Sequence, residues 1–250
     1  GQVPEDSRWV VPHFRFKPRY QGTAHPGFTT NSQGFRDTER DVPKPEGTFR
    51  ILCVGGSTTQ EGDTNATTYP ALLEARLREA FPEQDIEVLD AGIPGISTPC
   101  HLLRLSDYLM LEPDLVLLHL GVNDALLKYN VWVVNALPSR LRSARLFFPS
   151  LAAPSLETFR AFQREYMVYN LKLMSVLFQQ QGAAMAFASI AFPEPNAIMD
   201  VERAYYTYQG QYTWQFPAFE LGTYAQYIQE NNALIKETAS AVDGIYIPVA

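Results

Sequence analysis

The sequence predicts an α/β fold, a three-layer α/β/α sandwich around a five-stranded parallel sheet in the flavodoxin-like order 2-1-3-4-5, with an irregular N-terminal arm. Three observations predict it. From residue 49 onward, short apolar runs alternate with segments of helical period, which is the rhythm of strand-helix-strand units. The runs are continuously apolar rather than alternating, so both faces of each strand are expected to be buried, as in a parallel sheet covered on both sides. The chain of 250 residues is long enough for one such domain plus an arm.

Residues 1–48 form the arm, with Pro4, Pro12, Pro18, Pro26, Pro43 and Pro45 scattered through it. It reads as extended chain with one short hairpin, packed on the domain by Trp9, Phe14, Phe16, Phe28 and Phe35. The domain takes residues 49–250. Its first strand is Arg50–Val54, stopped by Gly55-Gly56; Leu73, Leu77, Ala80 and Phe81 then mark a helix over 69–81. The second strand is Ile86–Leu89, followed by a helix over 98–111 through Leu102, Leu105 and Leu109, which ends before Pro113. The third strand is Asp114–Leu120, ending at Gly121. Phe159, Phe162, Tyr166, Leu173 and Leu177 mark a long helix, and Ala184–Ile190 a fourth strand. A helix over 224–241 leads to the fifth strand, Ile245–Val249.

Residues 125–155 and 191–222 break the rhythm and read as insertions after strands three and four. In open α/β sheets ligands sit outside the carboxyl ends of the strands, so both insertions are placed to wall a pocket. The second holds Tyr205, Tyr206, Tyr208, Tyr212, Trp214, Phe216 and Phe219. These rings either line that pocket or pack the insertion onto the domain.

Composition bounds the function loosely. The chain has 20 basic and 27 acidic side chains, a net charge of −7, which argues against a nucleic-acid or anionic-membrane surface. No run of apolar residues is long enough to span a bilayer. Cys53 lies in an apolar run and reads as a buried free thiol, and with Cys100 it forms no zinc-spaced cluster. Asn65-Ala66-Thr67 fits a glycosylation sequon.

Three segments, each after a strand, can carry chemistry. Gly55-Gly56-Ser57-Thr58 displays a serine on a tight turn; there is no Gly-Lys-Ser/Thr of a phosphate loop and no dinucleotide fingerprint. Asp90-Ala-Gly92-Ile-Pro-Gly95-Ile-Ser97-Thr98 reads as a strand-to-helix turn with Ser97 or Thr98 as helix cap, or as a loop aiming a glycine N–H into a crevice. Asn123, in Gly121-Val-Asn-Asp124, can cap a turn or point an amide at a developing oxyanion. In the 2-1-3-4-5 order all three meet at the switch point, and a hydroxyl with converging N–H donors is what acyl transfer requires.

These segments resemble, in order and spacing, the first three blocks of the SGNH (GDSL-like) hydrolase superfamily. Asn31-Ser-Gln-Gly-Phe-Arg36 is similar to a segment found ahead of the first block in bacterial members. The resemblance implies a serine esterase acting on an acyl ester, such as an O-acetyl carbohydrate or a short-chain ester. Ser57 would be the nucleophile, and the N–H groups of Ser57 and Gly95 with the Asn123 side-chain amide the oxyanion hole. It implies no metal or organic cofactor, a small-molecule or carbohydrate ester as partner, and an extracytoplasmic location, secreted, periplasmic or anchored by a segment outside this chain.

The sequence departs from the pattern at Asp90, where Asn is usual, and in lacking the last block, Asp-x-x-His, which supplies base and orienting acid. The expectation is that the domain is truncated after its fifth strand and that the base lies beyond Ala250. The four histidines are read otherwise: His119 as a core or edge residue of strand three, His101 as a helix cap or surface residue, and His13 and His25 as arm residues. The competing reading is a non-catalytic carbohydrate-binding or structural module that keeps the fold.

Overall fold

The computed structural model describes residues 8–11, 15–21, 27–125, 155–192, 199–208 and 221–249. In the arm, Trp9–Val11 (β1) and Arg15–Phe16 (β2) pair as an antiparallel hairpin. Phe16, Tyr20 and Phe28 are buried against Ile93 and Ile96 of the domain, and Phe35 joins the main core. Asn31 shapes the turn between them. Its Oδ1 accepts from the N–H groups of Gln33 and Phe35, and its Nδ2 donates to the Thr38 carbonyl.

The apolar runs form the sheet. Thr48–Gly55 (β3), Asp85–Gly92 (β4), Leu115–His119 (β5), Ala184–Ala188 (β6) and Ile245–Ile247 (β7) are all parallel, in the order β4-β3-β5-β6-β7. Numbered by appearance, that is the 2-1-3-4-5 order of the sequence reading. The helices are Ser57–Gln60 (α1), Tyr69–Ala80 (α2), Thr98–Leu102 (α3), Leu105–Leu109 (α4), Leu156–Gln163 (α5), Tyr169–Gln180 (α6), Asp200–Tyr208 (α7) and Leu221–Ala241 (α8). The segment expected as one helix over 98–111 is two short ones. The break falls where Leu103 turns out to solvent and Arg104 turns in, its guanidinium lying over the rings of Phe35 and Tyr108. The long helix after strand three is continuous but widens into a π-turn at Arg164–Val168.

The register sorts side chains onto two faces. Ala91, Val54, Leu118, Phe187 and Tyr246 stand in one row across the sheet. They face α3, α4, α6 and α8, whose Leu105, Tyr108, Leu171, Met174, Phe178, Leu234 and Ile235 complete the main core. The alternate row, Asp90, Cys53, Leu117, Ala186 and Ile245, points the other way. There a smaller cluster of Ile51, Cys53, Ile86 and Val88 packs against Tyr69, Leu73 and Leu77 of α2, while Ile245 on β7 is 59% exposed. Among the described residues, no helix is long and apolar enough to cross a membrane.

Candidate active site

The sheet's carboxyl edge is built to receive a helix end. Gly55, Gly92 and His119 lie side by side in register, and the two glycines let α1 settle directly on the strands. A Cβ at Gly55 would collide with the Thr59 side chain, and one at Gly92 would stand 2.5 Å from the Gln60 backbone nitrogen. No other residue type leaves room for that approach. Ser57 therefore opens α1 immediately beyond the strand, with its side chain exposed.

The second and third segments are stitched to this turn and to each other. The Ile93 N–H donates to the Gly55 carbonyl at 2.9 Å, tying the second loop to the end of β3. Asn123 Nδ2 donates to the Ile96 carbonyl at 2.7 Å, and a Cβ on Gly56 would stand 3.1 Å from that nitrogen. Asn123 thus reaches both the loop of Gly95 and the turn of Ser57. Gly95 is exposed with φ +77, and among the described residues nothing lies within 4 Å of where its Cβ would be. The structure brings Ser57, Gly95 and Asn123 to one edge of the sheet, around the Gly56 turn.

Asp124 finishes the stitching. Its fully buried carboxylate accepts from the Thr98 N–H at 3.1 Å and from the Thr98 hydroxyl at 2.6 Å. Asn170 on α6 donates to the same hydroxyl at 3.2 Å. The Ser97 hydroxyl makes no bond capping α3, so the free N–H at the start of this helix is satisfied by a carboxylate from the third segment. The acidic residue after Asn123 was the available sequence signal. Behind the same turn, Asn231 of α8 and Met167 press on Gly121, whose φ of +116 excludes a side chain there.

The histidines do not behave as the sequence reading expected in one case. His101 is not a cap or a surface group: it is fully buried, with Nδ1 2.8 Å from the Tyr108 hydroxyl and its ring facing the Gly55 backbone. Burial, aided by the Arg104 charge, pushes its pKa down to about 3, so the ring is neutral at physiological pH. His119 ends β5 half-buried, edge-on to Tyr69 at 6.2 Å, and burial lowers its pKa. His13 and His25 lie outside the described residues.

Asp90 occupies the face of the sheet beneath α1. It is buried, with Oδ1 accepting from the Gly92 N–H at 2.8 Å and Oδ2 without a hydrogen-bond donor among the described residues. Burial raises its pKa well above the carboxylate range, opposed by the Gly92 N–H. Asp37 nearby adds to the rise and Arg36 opposes it. Burial therefore favours the neutral form of this carboxyl, whose outline is that of an Asn side chain.

Two further expectations meet the structure here. Asn65, the acceptor of the sequon, has its amide in use: Nδ2 donates to Thr29 and Oδ1 accepts from Arg36. A glycan on that nitrogen would displace one of the two donations to Thr29. Cys53 is a buried free thiol whose pKa burial pushes up. Of the aromatic insertion, Tyr205 on α7 is exposed, and Tyr206 and Tyr208 lie on the same helix. Tyr212, Trp214, Phe216 and Phe219, like residues 126–154, lie outside the described residues.

A family model for the GDSL-like lipase/acylhydrolase family matches residues 53–250. Solved structures similar to the chain include a variant of Axe2, an acetyl-xylooligosaccharide esterase from Geobacillus Stearmophilus (18% identity, 80% of this chain and 75% of that one, TM-score 0.49). Another is the psychrotrophic esterase EstA from Pseudoalteromonas sp. (17% identity, 80% and 76%, TM-score 0.47). A third is AlinE4, a SGNH-hydrolase family esterase (19% identity, 80% and 75%, TM-score 0.45). The sequence matches no curated protein.

Proposed function

The chain belongs to the GDSL-like lipase/acylhydrolase family, and from that premise we propose that it is a serine ester hydrolase with Ser57 as nucleophile. The observation that carries the assignment is the Asn123 amide, which bonds to the Gly95 loop through Ile96 and abuts the Ser57 turn at Gly56. One of its two protons is committed to the Ile96 carbonyl; the other is available to an oxyanion.

In this reading the Ser57 hydroxyl attacks the ester carbonyl and gives its proton to a general base. The negative charge on the carbonyl oxygen is met by the Ser57 N–H, at the start of α1, the Gly95 N–H and the Asn123 amide. Donors fixed in place before reaction need no reorganisation as charge develops. The tetrahedral adduct collapses, the alcohol leaves with a proton, and water releases the acid from the acyl-enzyme. His101 is not the base in this reading, because its ring is buried against Tyr108 and burial lowers its pKa to about 3, leaving it too weakly basic to keep the serine proton. The substrate class we favour is an O-acetyl carbohydrate or another short-chain ester, supported by the aromatic residues Tyr205, Tyr206 and Tyr208 on α7, which follows the fourth strand.

Labelling of the full-length gene product with a fluorophosphonate tests the assignment. Adduct on Ser57 that disappears in Ser57→Ala is expected. The absence of adduct in a folded, intact protein favours the second reading, a non-catalytic carbohydrate-binding module, for which the burial of His101 is the supporting observation.

A further inference from the structure

We infer that Arg36, in the N-terminal arm, is a positioning residue that holds the Ser57 turn in register with the oxyanion donors. The inference rests on the reading of Ser57 as nucleophile. It concerns a part of the chain that lies ahead of the residues matched by the family model.

A helix as short as α1 does not hold its own shape, since one turn repays little of the cost of nucleation. Its turn closes through the Gln60 N–H to the Gly56 carbonyl at 3.2 Å, and its far end is held from outside. Arg36 donates from Nη1 to the Gln60 carbonyl, from Nη2 to the Gly62 carbonyl at 2.7 Å, and from Nε to Asn65 Oδ1 at 3.1 Å. All three nitrogens of the guanidinium are thus committed to residues 60–65. The side chain is buried, and its charged plane lies 5.0 Å from the centre of the Phe28 ring.

The setting makes this a clamp and not a surface contact. Gln60 is pinned on its other side, where its backbone nitrogen lies against Gly92. Phe28 in turn packs with Ile93 and Ile96, which flank Gly95. One guanidinium therefore touches the end of the nucleophile helix and, through one ring, the loop carrying an oxyanion donor. Asn31 and the positive φ of Gly34 fix where Arg36 leaves the arm, with Phe35 anchored in the main core. A planar fork serving three separated acceptors cannot be reproduced by a lysine, which offers a single nitrogen.

The test compares Arg36→Ala and Arg36→Lys with the unmodified full-length gene product, with Arg15→Ala as an arm control that loses only the ion pair to Asp107. Three quantities are read: kcat and KM for p-nitrophenyl acetate, the rate of Ser57 labelling by a fluorophosphonate, and hydrogen exchange at residues 57–62. Misplacing a reacting group by about an ångström costs on the order of 10²-fold. The expected result is a loss of that order in kcat and in labelling rate for Arg36→Ala, with little change in KM. Faster exchange confined to 57–62 and partial recovery in Arg36→Lys are expected with it. Labelling at the unmodified rate in folded Arg36→Ala overturns the inference. So does a loss that Arg15→Ala shares, or one in which exchange rises throughout the sheet. If the unmodified protein neither labels nor hydrolyses ester, the esterase reading falls by itself. Exchange then decides the clamp: faster at 57–62 in Arg36→Ala supports it, unchanged overturns it.

Discussion

On one face of the sheet, Val54, Ala91, Leu118 and Phe187 lie under α3, α4, α6 and α8 in a continuous apolar core. On the other, Cys53, Ile51 and Val88 lie under α2, and the row runs out to Ile245, which is largely exposed. Polar groups crowd the carboxyl edge of this second face. Asp90 is buried there, Tyr69 faces Thr59 and Cys53, and α1 rests on two glycines. The candidate site draws on both. Asn123 is backed from the first face, where Asn231 and Met167 press on Gly121. Ser57 is backed from the second, by Gly92 and the Arg36 clamp. The contrast teaches that Asn123, the proposed amide donor, is backed by the well-packed side, and that Ser57, the proposed nucleophile, rests on a seat of close backbone contacts and hydrogen bonds. The first should be hard to disturb without unfolding the chain, the second easy to disturb in a chain that stays folded.

The largest expected effect strikes the first face. Phe187→Ala, at a fully buried position, should cost about 3–5 kcal/mol by denaturant titration, while the molecules still folded label at the original rate; a labelling defect in them would break the contrast. Asn123→Ala should slow ester hydrolysis by about 10²–10³-fold, near 3–4 kcal/mol at the barrier, with a fall of only a few degrees in the thermal midpoint from the lost bond to Ile96. Gly92→Ala forces the Gln60 backbone to move and should reduce kcat by on the order of 10²-fold. Its stability loss should be smaller than that of Phe187→Ala, and the reverse ranking would refute the seat proposed for α1.

A smaller effect tests Asp90. Its pKa is raised on folding, so its contribution to stability is full below the ordinary carboxylate pKa and is lost as pH rises toward the folded value. Asp90→Asn keeps the neutral shape at every pH. The variant should match the unmodified protein in acid and be more stable at neutral pH, as thermal melts across that range would read. Equal stability at neutral pH would show that the carboxyl is ionised at no cost. The smallest effect is expected at Ile245→Ser, within about 0.5 kcal/mol, because its side chain is already in water on the thinly covered face.

The sheet is legible because its strands are short apolar runs, the first three of them stopped at Gly55, Gly92 and Gly121, a pattern that needs no knowledge of the partner strand. The placement of Ser57, Gly95 and Asn123 at the sheet's carboxyl edge is legible because each lies in a glycine-punctuated turn after an apolar run. What escaped notice depends on contacts between distant segments. Leu102, Leu105 and Leu109 share a helical period, yet the helix breaks because Arg104 finds two rings, one of them Phe35 from the arm. His101 looked like a cap because nothing local announces that Tyr108 will bond its ring in the core. Asn65 fitted a sequon because its partners, Thr29 and Arg36, are remote in sequence. The Arg36 clamp was least legible of all, since two of its three acceptors are backbone carbonyls, which every residue possesses.

The bond from Asn123 to Ile96 has a consequence for anyone reshaping this pocket. Because the acceptor is a main-chain carbonyl, the bond itself asks nothing of the side chain at position 96, which answers only to its packing with Phe28 and Ile93. Substitution at 123 allows no such freedom, because there the side-chain amide is itself the donor.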